Sequence, residues 1–85
     1  MAGQRHRRAA VLRAAQEHLG LTLYEVWFGY IGVGGDAPLR EVQAWLMGAV
    51  EPGDHDHDLM AQAFNDRFVD QGLDHPVAYA ETLAP

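Results

Sequence analysis

The run 21–35, LTLYEVWFGYIGVGG, constrains the fold more than any other part of the chain. Half of the aromatic side chains, Tyr24, Trp27, Phe28 and Tyr30, fall within it, among Leu23, Val26, Ile31 and Val33. Thr22 and Glu25 form an S/T-x-x-E pattern in which each side chain satisfies the other's backbone N–H, with Leu21 and Val26 at the flanking staple positions. The spacing predicts a helix over 22–33. Its bulky apolar groups cover nearly the whole circumference, which predicts a central, buried helix. The stripe left over is Thr22, Glu25, Gly29 and Gly32. Each glycine inside a helix costs roughly 1 kcal/mol relative to alanine, and close approach of another backbone is the expected compensation. An exposed stripe with tolerated glycines is the competing reading.

The rest of the chain reads as helices around this one. From Arg5 to Leu19 the sequence is alanine-rich and poor in β-branched residues, a good helix former. Leu12, Ala15 and Leu19 mark its core stripe, widened by Val11, and Gly20 stands where a helix-ending glycine belongs. A third helix starts near Pro38, which suits a first helical position. It carries Leu39, Val42, Trp45 or Leu46, and Ala49 at core spacing, with Gly48 near its end. A fourth opens in the acidic run 54–58, DHDHD, and continues to Gly72. There Leu59, Met60, Ala63, Phe64, Arg67 and Phe68 follow amphipathic spacing, while Gln62, Asn65, Asp66 and Asp70 face the other way. His75 before Pro76 predicts an extended exit, after which Val77, Tyr79 and Leu83 anchor a tail. No period-2 strand pattern is present. The expected fold is all-α: one domain over 1–85, a compact four-to-five-helix bundle with a helix-turn-helix-like core, a loose segment 1–4 and an extended tail 73–85.

Charge narrows the range of partners. Residues 1–13 carry Arg5, Arg7, Arg8 and Arg13 and no acid, whereas residues 14–85 set two arginines against twelve acids, a balance of −10. Such a body repels a phosphate backbone, because nucleic-acid affinity rests on Lys/Arg contacts that release counterions. With 85 residues and no cysteine, the core is small and has no disulfide to support it, so oligomerisation is an expected contributor. No apolar run is long enough to span a membrane, and no signal-peptide pattern follows the N-terminal arginines. A cytoplasmic location is the default expectation.

Helices two to four, taken together, resemble the Cro/repressor-type helix-turn-helix family. The quoted residues are Leu21-Thr22-Leu23-Tyr24-Glu25-Val26, a glycine turn, then Val42, Trp45, Gly48 and Pro52, then Leu59-Met60-Ala61-Gln62-Ala63-Phe64, spanning residues 10–68. The resemblance implies a DNA-reading third helix. Three departures stand against that role. Trp27 occupies a position that is small in the family, and the turn is lengthened around residues 32–35. In the third helix only Arg40 and Gln43 suit base edges, beside Glu41 and the apolar Leu46 and Met47. An outward face of Leu46 and Met47 would suit docking, and burying both contributes roughly 3–6 kcal/mol gross.

Other chemistry finds little support. His55 and His57 lie two apart, on opposite sides of a helix, so they are weak metal candidates. Acids at a helix start are explained by N-terminal capping and the helix dipole, although two histidines among three carboxylates also admit a pH-sensing role. The chain has no serine and no cysteine, and its glycine run lacks the preceding strand and following lysine of a phosphate loop. The expectation is therefore a non-enzyme without a cofactor: a regulatory module whose protein partner, or second copy, meets Leu39, Arg40, Gln43, Leu46 and Met47. Trp27 and Trp45 are the expected core pillars. The alternative is a sequence-specific DNA binder using Arg5, Arg7, Arg8, Arg40 and Gln43.

Overall fold

The computed structural model describes residues 7–83. They form five helices: α1 Arg7–Leu19, α2 Leu23–Gly32, α3 Leu39–Met47, α4 Asp54–Asp70 and the short α5 Ala80–Leu83. No strand occurs among the described residues. Helix α4 is the spine. It packs against α1, α2 and α5, and α3 closes the bundle against α1 and α2. Between them lie Leu12, Val26, Tyr30, Val42, Met60 and Phe64, all buried. Segment 1–4 and Arg5 lie outside the described residues, as do the last two positions of the tail.

Local chemistry sets the helix ends where the sequence places them. Thr22 Oγ1 accepts from the Glu25 N–H at 3.1 Å while the Thr22 N–H donates to Glu25 Oε1 at 2.9 Å, which starts α2. Four helices close alike: a glycine with positive φ follows the last turn, and the next residue's N–H reaches back five positions. The bonds run Leu21 to Gln16, Gly35 to Tyr30, Ala49 to Ala44 and Leu73 to Phe68, at 2.9–3.1 Å. That pairing satisfies carbonyls the helix leaves open, and only glycine enters the left-handed region without penalty. Gly35 is constrained separately, since a side chain there would run into the Tyr30 ring.

Several side chains lie elsewhere than the periodicity predicts. Helix α2 is not buried all round: Val26 and Tyr30 face the core, whereas Tyr24, Phe28 and Ile31 are exposed. Of the stripe Thr22, Glu25, Gly29 and Gly32 only Gly29 is partly covered, where an added Cβ would sit in ordinary contact with Ala63 of α4; Thr22, Glu25 and Gly32 are exposed. A bundle of this size covers only part of the circumference of a short helix, and α2 turns Val26 and Tyr30 inward. Trp45 is buried and meets the Tyr30 ring edge-on at 5.6 Å. Trp27 is only half-buried, and its Nε1–H donates to the Ala37 carbonyl at 3.0 Å. Pro38 caps α3 rather than beginning it, and Ala49 is exposed.

Asn65 departs furthest from its expected outward position. It is fully buried, its Nδ2–H donating to the Val77 carbonyl at 3.1 Å while its Oδ1 accepts the Val77 N–H at 2.9 Å. His75 is not extended but has φ of +50°. The tail is anchored by Val77 and Ala80, which are buried, whereas Tyr79 is exposed and Leu83 half-buried.

Candidate functional site

The outward sides of α2 and α3 are the candidate site. Around α2, Tyr24, Phe28 and Ile31 follow one another at i, i+4 and i+7, which places them on one stripe. Their exposures are 60%, 64% and 38%. Phe28 leans on the half-buried Trp27, the ring centroids 5.4 Å apart, so aromatic surface continues toward the α2–α3 turn. Contiguous exposed apolar groups of this kind are uncommon on a monomer and mark contact surfaces.

Helix α3 is more conventional. Val42, Trp45 and Leu46 point inward, leaving Arg40, Glu41, Gln43 and Met47 exposed and Leu39 half-buried. Leu46, expected outward beside Met47, is 5% exposed, because it lies one residue past Trp45 on the same inward arc as Val42. Of the five residues predicted to form a partner interface, Arg40, Gln43 and Met47 share the outward side, Leu39 lies at its border and Leu46 belongs to the core. Gln43, Leu46 and Met47 also line one side of a shallow groove of about 440 Å³, with Arg13, Gln16 and Leu23 opposite. Sequence reasoning missed Tyr24, Phe28 and Ile31 as surface groups. Their i, i+4, i+7 spacing was legible, but nothing in the run says which arc faces in.

Of the arginines expected on phosphates, Arg5 lies outside the described residues, and Arg7, Arg8 and Arg40 sit in different surroundings. Arg8 is largely covered and tied to the α3–α4 loop: Nη1 donates to the Pro52 carbonyl at 2.8 Å, Nη2 meets Asp54 at 2.6 Å, and Nε lies 3.4 Å from Glu51. Arg7 reaches the Leu83 carbonyl at 3.4 Å. Arg40 stands alone on α3 as an exposed cation beside Glu41.

The acidic start of α4 serves tertiary structure rather than its own cap. Gly53 is the N-cap and receives no side-chain bond. Asp54 holds Arg8, Asp56 accepts the Tyr30 hydroxyl at 2.7 Å, and Asp58 accepts the Ala80 N–H at 2.8 Å. His57 is fully buried, its Nε2–H donating to the Ala78 carbonyl at 2.9 Å, while its Nδ1 has no partner among the described residues. His55 is exposed. The two histidines therefore do not converge, and no group of three or more potential metal ligands forms among the described residues.

Two titrations are set by this geometry. Burial raises the Tyr30 phenol above its ordinary range, reinforced by Asp56 and opposed by the Ala37 N–H that its oxygen accepts at 3.1 Å. The Thr22 backbone N–H, and then its hydroxyl, hold the Glu25 carboxyl below the usual carboxylate range. Compared with protein-family models, curated proteins and solved structures, the chain gives no match.

Proposed function

We propose that this protein is a small non-enzymatic module that works through protein–protein contact, with the α2 stripe as its principal surface. The observation that carries this reading is the outward display of Tyr24, Phe28 and Ile31 on the most apolar helix of the chain. Fully burying side chains of this size contributes roughly 1.5–3 kcal/mol each. Since each is already partly covered, the stripe offers a few kcal/mol before association costs. The partner, a second copy or a protein of a transcription or signalling system, adds contacts from the neighbouring α3 surface at Arg40, Gln43 and Met47. Aromatic groups with an adjoining arginine are the composition expected of a contact centre.

The test is sedimentation equilibrium across micromolar concentrations, comparing wild type with Phe28→Glu, with circular dichroism as the control for folding. Association that Phe28→Glu removes without loss of helicity supports the reading. A wild type that stays monomeric removes the self-association branch and leaves docking on another protein.

A DNA-binding role is the second reading, supported by the exposed Arg40 and Gln43 on α3 and opposed by the engagement of Arg8. A gel shift at two salt concentrations separates the readings. Binding that falls steeply with salt and is lost on Arg40→Ala favours DNA.

A further inference from the structure

Residues 77–83 are fastened to α4 by bonds to their main chain. Asn65 takes both backbone groups of Val77, His57 Nε2–H donates to the Ala78 carbonyl, and Asp58 accepts the Ala80 N–H. Within the segment only Val77 and Ala80 are buried, and the connector before it, residues 71–76, is exposed along its whole length. Of the three side chains that hold the segment, His57 alone changes its bonding capacity near neutral pH. Its ring is fully buried. In the neutral form it has one N–H, and Ala78 takes it, while Nδ1 meets no acceptor among the described residues. A second proton would sit at Nδ1 as a buried donor without a partner, on a ring that now carries charge.

The charged groups nearby are committed elsewhere. On α4 itself Asp54 holds Arg8, Asp56 accepts the Tyr30 hydroxyl of α2, and Asp58 is bound to Ala80. From α1, Arg7 reaches the Leu83 carbonyl and His18 lies against Phe68. The tail contributes Glu81, which is exposed, and the connector pairs Asp74 with His75. We propose that His57 is a pH-sensitive latch, a second proton on its ring releasing residues 77–83 from α4. A ring in water takes that proton at about pH 6.5, and the docked ring has nowhere to place it. Attachment is therefore complete above the ordinary imidazole range and weakens as pH falls through it. On release Val77 leaves the wall of an apolar cavity of about 430 Å³ that it shares with Phe68 and Val11, so acid uncovers apolar surface at the α1–α4 junction. The α2 stripe takes no part.

Amide exchange on the full chain tests this, with protection factors at Val77 and Ala80 compared at about pH 7.5 and about pH 5.5. In wild type both should fall about tenfold, as uptake of one proton by the released ring allows over this interval. The Met60 and Phe64 amides, in the middle of α4, should keep their protection. His57→Gln keeps an N–H in place of Nε2–H and does not titrate, so its tail should stay equally protected at both pH values. His18→Gln and His75→Gln should respond as wild type does. Unchanged protection in wild type overturns the proposal. So does a fall shared by Met60 and Phe64, one that persists in His57→Gln, or one that His18→Gln or His75→Gln removes. Should His57→Gln leave the tail undocked at neutral pH, the ring-nitrogen NMR shifts of wild type decide. At about pH 5.5, a neutral ring in the docked chain beside a charged ring in the released one supports the latch. A charged ring in the docked chain overturns it.

Discussion

Helices α2 and α3 are joined by a short turn and lie side by side, yet they treat their apolar residues in opposite ways. In α3 the apolar groups lie on one arc, and Val42, Trp45 and Leu46 turn inward while Arg40, Glu41 and Gln43 meet solvent. In α2 almost every position is apolar, and the bundle takes Val26 and Tyr30 while leaving Tyr24, Phe28 and Ile31 outside. Periodicity orients a helix whose two sides differ. It cannot orient one that is greasy all round, where packing against the other helices decides which apolar residues turn inward, here Val26 and Tyr30. The surplus apolar surface is what makes α2 a candidate for contact.

Five substitutions, two on α3 and three on α2 or its cap, test that contrast. The largest effect is expected at Leu46→Glu, which places a carboxylate in the core and should cost about 3–5 kcal/mol in urea denaturation. Phe28→Glu, a similar change on the stripe, should cost less than about 1 kcal/mol; equal losses would break the distinction between the two helices. Next is Tyr30→Phe, which leaves Asp56 and the Ala37 N–H unpaired at a cost of about 1–3 kcal/mol. Because the folded state raises this phenol, its contribution is complete below the ordinary tyrosine range and is lost as pH rises through the raised value. Stability measured at alkaline pH should therefore fall more steeply in wild type than in Tyr30→Phe.

Thr22→Ala should cost about 1 kcal/mol by removing the α2 cap. Glu25, held low by Thr22, adds stability above the usual carboxylate range that is lost as pH falls through its lowered value, and Thr22→Ala should flatten this acid-side slope in thermal melts. The smallest change is Met47→Ala on the outer side of α3, within about 0.5 kcal/mol. A larger loss would show that Met47 is packed rather than displayed.

What could be read from the residues follows the range of the interactions. The Thr22–Glu25 box and the closing glycines at 20, 34, 48 and 72 act within one turn, and each falls where the sequence puts it. The all-α fold follows from them and from the helical spacing. The run 54–58 was legible as a helix start but not as a junction, because its partners, Arg8, Tyr30, Ala78 and Ala80, lie 21 to 46 residues away. Asn65 misled for the same reason. A polar residue reads as solvent-facing until the segment whose backbone it satisfies is in place, and Val77 is twelve positions on. For the candidate site, Arg40, Gln43 and Met47 were readable from α3, whereas Leu46 and the α2 stripe needed the packing.

The Tyr30 hydroxyl joins three pieces of chain: α2 that carries it, the lead-in to α3 through Ala37, and the start of α4 through Asp56. Ala37 precedes a helix in an irregular stretch, where amide protons ordinarily trade with deuterium quickly. Its proton is instead held by a phenol that cannot turn away without opening the core. In an isotope-exchange experiment Ala37 should therefore behave as an interior amide, slow among fast neighbours, and should become fast in the Tyr30→Phe protein while the middle of α4 stays slow.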